Sequence, residues 1–367
     1  MAAVNVGGRA FEPTRARWSR VWGGVGSRAA LLLPTLTLLL VAAALFSVGR
    51  GAVAISPAQV LAILLGKVGI ATDTAYTAQQ AAVLWNIRLP RVLLGMLVGG
   101  GLAISGAALQ GIFRNPLTDP GLIGVSSGAA LGAVGAIILG ITAFGAFVMP
   151  LAAFIGGLLA TLLVYGLARH GGRAEVVTLL LTGIAVNAIC GAAVGFLIFL
   201  ASDAQLRSIV FWSFGSLGGA TWSATLAVAP LIIVGTMLLP RWGRALNLLS
   251  LGEREARHLG VETERVRLAL IVLTALITGA AVAVCGTIGF VGLVVPHLLR
   301  LIAGPDHRTL LPASAIGGAA LLTLADLFAR TVAAPVEIPL GVITALAGGP
   351  FFLWLLCRTR RAHGGWG

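Results

Sequence analysis

The stretch RLPRVLLGMLVGGGLAISGAALQGIFRNPLTDPGLIGVSSGAALG, Arg88 to Gly132, decides the fold. Its run from 92 to 112 carries no charge over the roughly 20 residues that a helix needs to cross a bilayer. In lipid a single segment must satisfy its own backbone polar groups, so that run reads as a membrane helix. NPLTDPG, Asn115 to Gly121, then places two prolines and a glycine together and forces a non-helical turn. Another apolar run follows, and its Gly124, Gly128 and Gly132 recur every four residues on one helix face. A face of small residues lets two helix backbones come close, which is how helices associate in lipid.

The rest of the chain extends this pattern. Of 367 residues, 58% are hydrophobic and 10% are charged, against roughly 25% charged in soluble domains. The mean hydropathy is +1.00 and glycines number fifty, so the class is an all-α polytopic membrane protein. Candidate spans lie at 30–48, 92–112, 121–140, 146–168, 176–200, 222–239, 268–287, 289–303, 310–329 and 340–357, about ten helices. Ser56 to Gly69 opens on Ser-Pro before a short apolar run, which reads as a surface helix too short to span. The basic leader 1–29 and Ala42 to Ala44 loosely resemble a signal peptide. The apolar run exceeds the usual ~7–15 residues, so 30–48 reads as the first membrane helix. One membrane domain then covers 30–357, with a tail at 358–367.

The net charge of +13 sits between apolar runs and forms no basic stripe interleaved with aromatics, so it reads as loop charge and not as a nucleic-acid surface. With the N-terminus in the cytoplasm, most arginines fall inside and only Arg50, Lys67, Arg88, Arg91, Arg207 and Arg330 outside. This asymmetry places both termini in the cytoplasm. Arg88, Arg91 and Arg330 run against the trend, which suggests an anionic docking partner; phosphate headgroups are the alternative.

Catalytic motifs fail on context. GVSSG, Gly124 to Gly128, matches a nucleophile elbow in letters but opens an apolar helix, and His297 has no evident acid partner. An intramembrane serine hydrolase is therefore disfavoured. Cys190, Cys285 and Cys357 lack metal-ligand spacing and read as packing residues. No phosphate loop occurs: Gly66-Lys67 is followed by Val68. A secondary carrier would need ionisable residues within its spans, and only Asp326 lies clearly inside one. Lacking both energy sources, the chain must draw on a partner. The charged stretch Arg241 to Arg267, with a short amphipathic helix after Gly252, is the candidate docking segment for a cytoplasmic motor.

The opening stretch, with LGEREARHLGV (Leu251 to Val261) and GTIGFVGLVVPHLLRL (Gly286 to Leu301), resembles the permease family of ABC importers for cobalamin, ferric siderophores and heme, over about Leu31 to Leu356. The resemblance implies the type II importer permease fold: a ten-helix subunit of the bacterial inner membrane that dimerises around a central pathway. Each subunit would carry one copy of an ABC ATPase, and a periplasmic binding protein would sit on top. It implies a translocation subunit that is not an enzyme, holds no permanent cofactor or metal, and leaves ATP to the ATPase.

By the same resemblance, Arg88, Arg91 and Arg330 receive acidic residues of the binding protein. Gly252, Glu253, Glu255, Ala256, Arg257, Leu259 and Gly260 form the coupling helices (250–262) that seat in the ATPase. Asn115 and Leu117 match one cytoplasmic gate, and Val176 and Val177 the other, which is polar in the cobalamin relatives. Asn187 and Arg207 match the translocation pathway. SDAQLRSIVFWSFGSLGG, Ser202 to Gly219, resembles the heme-type members most closely. Heme, a flat apolar macrocycle with two propionates, suits an apolar channel guarded by arginine, with a ferric siderophore or cobalamin as the alternative cargo.

Overall fold

The computed structural model describes residues 15–51, 53–171 and 173–362; the leader ahead of Arg15 and the tail beyond Ala362 lie outside the described residues. The helices are α1 (Arg15–Gly49), α2 (Pro57–Lys67), α3 (Ala78–Val83), α4 (Leu89–Phe113), α5 (Val125–Ile138), α6 (Val148–Ala168), α7 (Val176–Phe199) and α8 (Asp203–Ser213). They continue as α9 (Trp222–Leu238), α10 (Gly243–Ser250), α11 (Glu253–His258), α12 (Thr263–Cys285), α13 (Val291–Ala303), α14 (His307–Ala329) and α15 (Leu340–Ala362). A two-residue antiparallel ladder, β1 (Arg169–His170) with β2 (Arg173–Ala174), closes the turn between α6 and α7.

Among the described residues, seven segments are long and apolar enough to cross a membrane. Three further expected spans fall on shorter helices, α5, α13 and the apolar part of α15. At about 1.5 Å per residue a 14-residue helix such as α5 falls short of a hydrocarbon core of about 30 Å. Irregular backbone completes these passages, and it is tolerated where protein covers it. One such place joins three breaks: the Ser216 amide donates to the Cys285 carbonyl (2.7 Å), Leu340 to Gly215 (2.9 Å) and Gly341 to Phe214 (3.0 Å).

Helix α4 is the axis of the bundle, with α14, α12, α13 and α9 around it. Its glycines make this close packing feasible. A Cβ added at Gly99 would lie 2.3 Å from the Gly318 carbonyl oxygen on α14, and one at Gly106 would lie 1.8 Å from that of Gly292 on α13. The expected seam on α5 is present too: a Cβ at Gly128 would meet the Gly156 carbonyl of α6 at 2.4 Å, and one at Gly132 that of Ala152 at 2.1 Å.

Helix α2 is the expected short surface helix, and its start follows from its sequence. Ser56 Oγ accepts from the Gln59 amide at 3.3 Å, the Gln59 side chain accepts from the Ser56 amide at 3.0 Å, and Pro57 opens the first turn. Val60 and Ile63 then pack with Val48, Leu84 and Val92, which folds α2 back onto the ends of α1 and α4. The charged stretch 241–267 holds two helices, α10 and α11. Helix α12 begins at Thr263, ahead of the expected span at 268, so Glu264 and Arg267 belong to its first turn. The segment 203–213, expected only as part of a channel mouth, is helix α8, opened by a Ser202–Gln205 capping box.

Overpacking a close crossing costs roughly 1–3 kcal/mol, so Gly106→Ala is expected to lower the unfolding midpoint of the detergent-solubilised protein clearly. Gly135→Ala, where no atom lies within 4 Å of the added Cβ, should leave it unchanged or raise it slightly. Equal shifts for the two would count against backbone contact as the organising feature.

Candidate functional site

The two ends of α4 carry most of the charged residues singled out above. At its N-terminus, α3 runs through a π-helical turn, Leu84–Arg88, into α4. Three residues apart, Arg88 and Arg91 share a helix face. Helix α14 runs antiparallel to α4 and brings Arg330 to the same corner, where a Cβ added at Gly51 would approach both Arg88 and Arg330. The three arginines expected to act together therefore do stand together.

Their guanidiniums, however, are engaged inside the protein. Arg88 donates to the carbonyls of Val48 (2.8 Å), Gly49 (3.0 Å) and Val53. Arg330 donates to the Arg50 carbonyl (2.7 Å) and to the carbonyl and hydroxyl of Ser47. The last carbonyls of a helix have no partners of their own and carry the negative end of its dipole, so two cations stabilise the end of α1. Arg91 forks onto both oxygens of Glu337 (2.8 and 3.0 Å), while its Nε reaches Asp326 at 3.0 Å. Asp326 is shared with Arg330 at 3.5 Å. Arg88 is 4% exposed and Arg91 8%, whereas the Glu337 side chain is 46% exposed. Of the paired charges at this corner the outward one is thus an acid, beside the exposed Arg50, and the hydrogen bonds from Arg91 hold it below the ordinary glutamate range. Asp326, expected as a lone intramembrane acid, is doubly paired. Its i, i+4 spacing to Arg330 was the one signal of this in the sequence; Glu337 gave none.

At the opposite end, Gly252 has φ +129°, a conformation L side chains rarely adopt, and the Glu255 side chain folds over the space its missing Cβ leaves. Helix α11 follows with Ala256 fully buried and Arg254, Glu255, Arg257 and His258 exposed. Leu259 is exposed beyond it, and Gly260 reverses the chain with φ +83°. Glu253 turns inward: it takes a hydrogen bond from Arg267 and one from Arg257 at 3.4 Å. Helix α10 is fastened to α14 separately, through Asn247, which donates to Asp306 at 2.6 Å and accepts from the His307 amide at 2.9 Å.

The expected gate residues form two separate pairs. Asn115 accepts from the Leu117 amide at 2.9 Å, a local turn after Arg114 ends α4 in the left-handed region, and both are exposed. Val176 is half-buried and Val177 exposed at the start of α7. Among the described residues no hydrogen bond joins the two pairs. Of the pathway residues, Arg207 is exposed on α8, while Asn187 on α7 accepts from Ser127 and donates to the Gly121 carbonyl at 3.0 Å. Asn187 therefore fastens α7 to the turn ahead of α5.

Comparison with known proteins returns one family. The model of the FecCD transport family matches residues 38–358. The hemin transport system permease HmuU of Yersinia pestis is 47% identical over 352 residues, covering 91% of this chain and 98% of that protein. The cobalamin import permease BtuC of Halobacterium salinarum is 48% identical over 281 residues, covering 76% and 74%. A solved structure described as an inward-facing conformation of a metal-chelate type ABC transporter aligns with a TM-score of 0.79 and 35% identity over 90% of this chain and 99% of that one.

A carboxylate held low in the folded state stabilises the fold above its unfolded pKa, about 4.3 for glutamate, and that contribution is lost as pH falls through the lower folded value. The difference in unfolding midpoint between wild type and Glu337→Gln is therefore expected to be present at neutral pH and to close in acid. Asp326→Ala leaves two buried guanidiniums short of a partner and should cost roughly 3–5 kcal/mol by the same assay. A mild, pH-independent effect of both would show that the cluster is not a bonded unit.

Proposed function

The chain belongs to the FecCD transport family, and from that premise we propose that it imports heme, as a homodimer with both termini in the cytoplasm. It is a multi-pass permease subunit of an ABC importer in the inner membrane, so an ATPase and a substrate-binding protein complete it. Heme is the finer reading, and one observation supports it: the hemin permease matches at 47% identity over 98% of its length, whereas cobalamin permeases match at 48% over 74% or at 40% over 92%. The exposed Arg207 on α8 supports it, since an arginine fork suits a propionate. ATP hydrolysis by the reconstituted complex should be stimulated most by the binding protein loaded with hemin. Stimulation by cobalamin or a ferric siderophore and not by hemin would transfer the assignment to that cargo.

The corner of Arg88, Arg91 and Arg330 is proposed as the docking point for acidic residues of the binding protein, with a condition the ion pairs add. A docking carboxylate must take the Arg91 fork from Glu337, because an arginine already paired gains little from a second acid. Glu337→Gln should accordingly tighten association severalfold, with the largest gain at low salt, where charge attraction is least screened. Unchanged or weaker association would remove this corner from the docking surface. The helix α11 is proposed as the ATPase seat, with Glu255, Arg257 and Leu259 its exposed contacts. Glu255→Arg is expected to weaken ATPase binding in a pull-down from detergent, and full retention would assign the seat elsewhere.

A further inference from the structure

The most heavily bonded charge outside the corner described above is Arg267, in the first turn of α12. Its side chain is 5% exposed. The guanidinium donates to Glu253 of α11, to Glu264 at 2.8 Å and to the Ala174 carbonyl in β2. Glu264 in turn accepts from the Tyr165 hydroxyl of α6 at 2.6 Å and from the Ala174 amide at 3.2 Å. Ala174 is therefore held on both sides of its backbone, by the acid at its N–H and by the arginine at its C=O. It is 1% exposed and lies two residues ahead of Val176, where α7 begins.

The arrangement has a mechanical consequence. Helix α11 packs chiefly on α10 and α12. The bonded side-chain route from α11 to the start of α7 runs through this cluster. An arginine fork fixed by two carboxylates and a carbonyl tolerates little change in geometry, unlike the point charge of a lysine. The β1–β2 ladder ties Arg169 to Ala174, so the end of α6 and the start of α7 are joined to the same point.

We infer that Arg267 is a positioning residue that joins the surface helix α11 to the first turn of α7, so that movement of 253–260 is delivered directly to Val176 and Val177. The functional half of this inference rests on reading α11 as the ATPase seat; the mechanical half does not.

The test uses the full chain in nanodiscs, with the exposed Cys357 replaced by Ser and spin labels at Val177→Cys and Leu259→Cys, both exposed positions. Diluted with unlabelled chain so that each dimer carries one labelled copy, the parent should give one narrow distance distribution. Arg267→Lys, which keeps the charge and loses the fork, and Glu253→Ala, which removes the acceptor on the α11 arm, should each broaden it about twofold or add a second population. Should Arg267→Lys fail to fold, Glu253→Ala still decides. An unchanged distribution in a folded variant overturns the linkage. In the complex with its ATPase, Arg267→Lys should retain ATPase binding while hemin uptake per ATP hydrolysed falls about tenfold. Unchanged uptake per ATP overturns the functional half. Failure of the parent chain to bind any ATPase would instead overturn the reading of α11, leaving the label distances to judge the linkage alone.

Discussion

Backbone-to-backbone contact along α4 is the constraint on which the rest of the structure depends. A helix surrounded by four others in lipid cannot rely on water to drive its neighbours together, because lipid tails are as apolar as leucine. What remains is dispersion at short range and the geometry that permits it. Gly99 against Gly318 and Gly106 against Gly292 bring main chains where one added methyl would overlap a carbonyl. The same packing sets the position of both ends of α4, and therefore of the arginine corner at one end and the Asn115 turn at the other. An error in the crossing angle would be carried to each.

The charges follow a different logic from the one their number suggests. An unpaired guanidinium near the apolar zone is costly, and the long outward arginines meet that cost by bonding carbonyls and carboxylates of their own chain. Arg88 and Arg330 complete the end of α1, and Arg91 ties α4 to α14 and to the segment ahead of α15. A surface that looks cationic in sequence thus presents Glu337 outward. At the opposite end Arg267 plays the corresponding part for α11, α12 and the α6–α7 turn. Both clusters join elements far apart in the chain, and each leaves one element partly free: Glu337 at one end, α11 at the other.

What could be read from the sequence was whatever local chemistry specifies. The apolar runs gave the long helices, the Ser56–Gln59 box gave α2, and the four-residue repeat of Gly124, Gly128 and Gly132 gave the α5–α6 seam. The Ser202–Gln205 box carries an equal signal for α8, which lies outside the apolar runs that mark the spans. The start of α12 is hidden because charges at 264, 265 and 267 look like loop residues, although two of them are buried or partly buried by pairing. Asp326 with Arg91, 235 positions apart, and Arg267 with Ala174, 93 apart, are tertiary facts that no local pattern encodes. The bonds of Asn187 to Ser127 and Gly121 are likewise tertiary, and they match the donors and acceptors of a half-buried amide.

This distribution of bonds bears on how an importer of this kind could change shape. Close glycine crossings along α4 resist sliding, since the contacts are rigid on both sides and have no side chains to readjust. Movement is more readily absorbed where the backbone is already irregular, at the junction of 213–217, 285–290 and 340–341, and where short helices are joined by glycines, as at Gly252 and Gly260. Those two regions lie at opposite ends of α12, which also carries Arg267. A tilt of α12 about its crossing with α4, where Ile277 meets Gly101, would therefore shift the α11 end and the irregular junction in opposite senses while leaving that contact near its middle almost unchanged. Alternating access requires that the two sides of the pathway open in turn, and such a tilt would supply that relation.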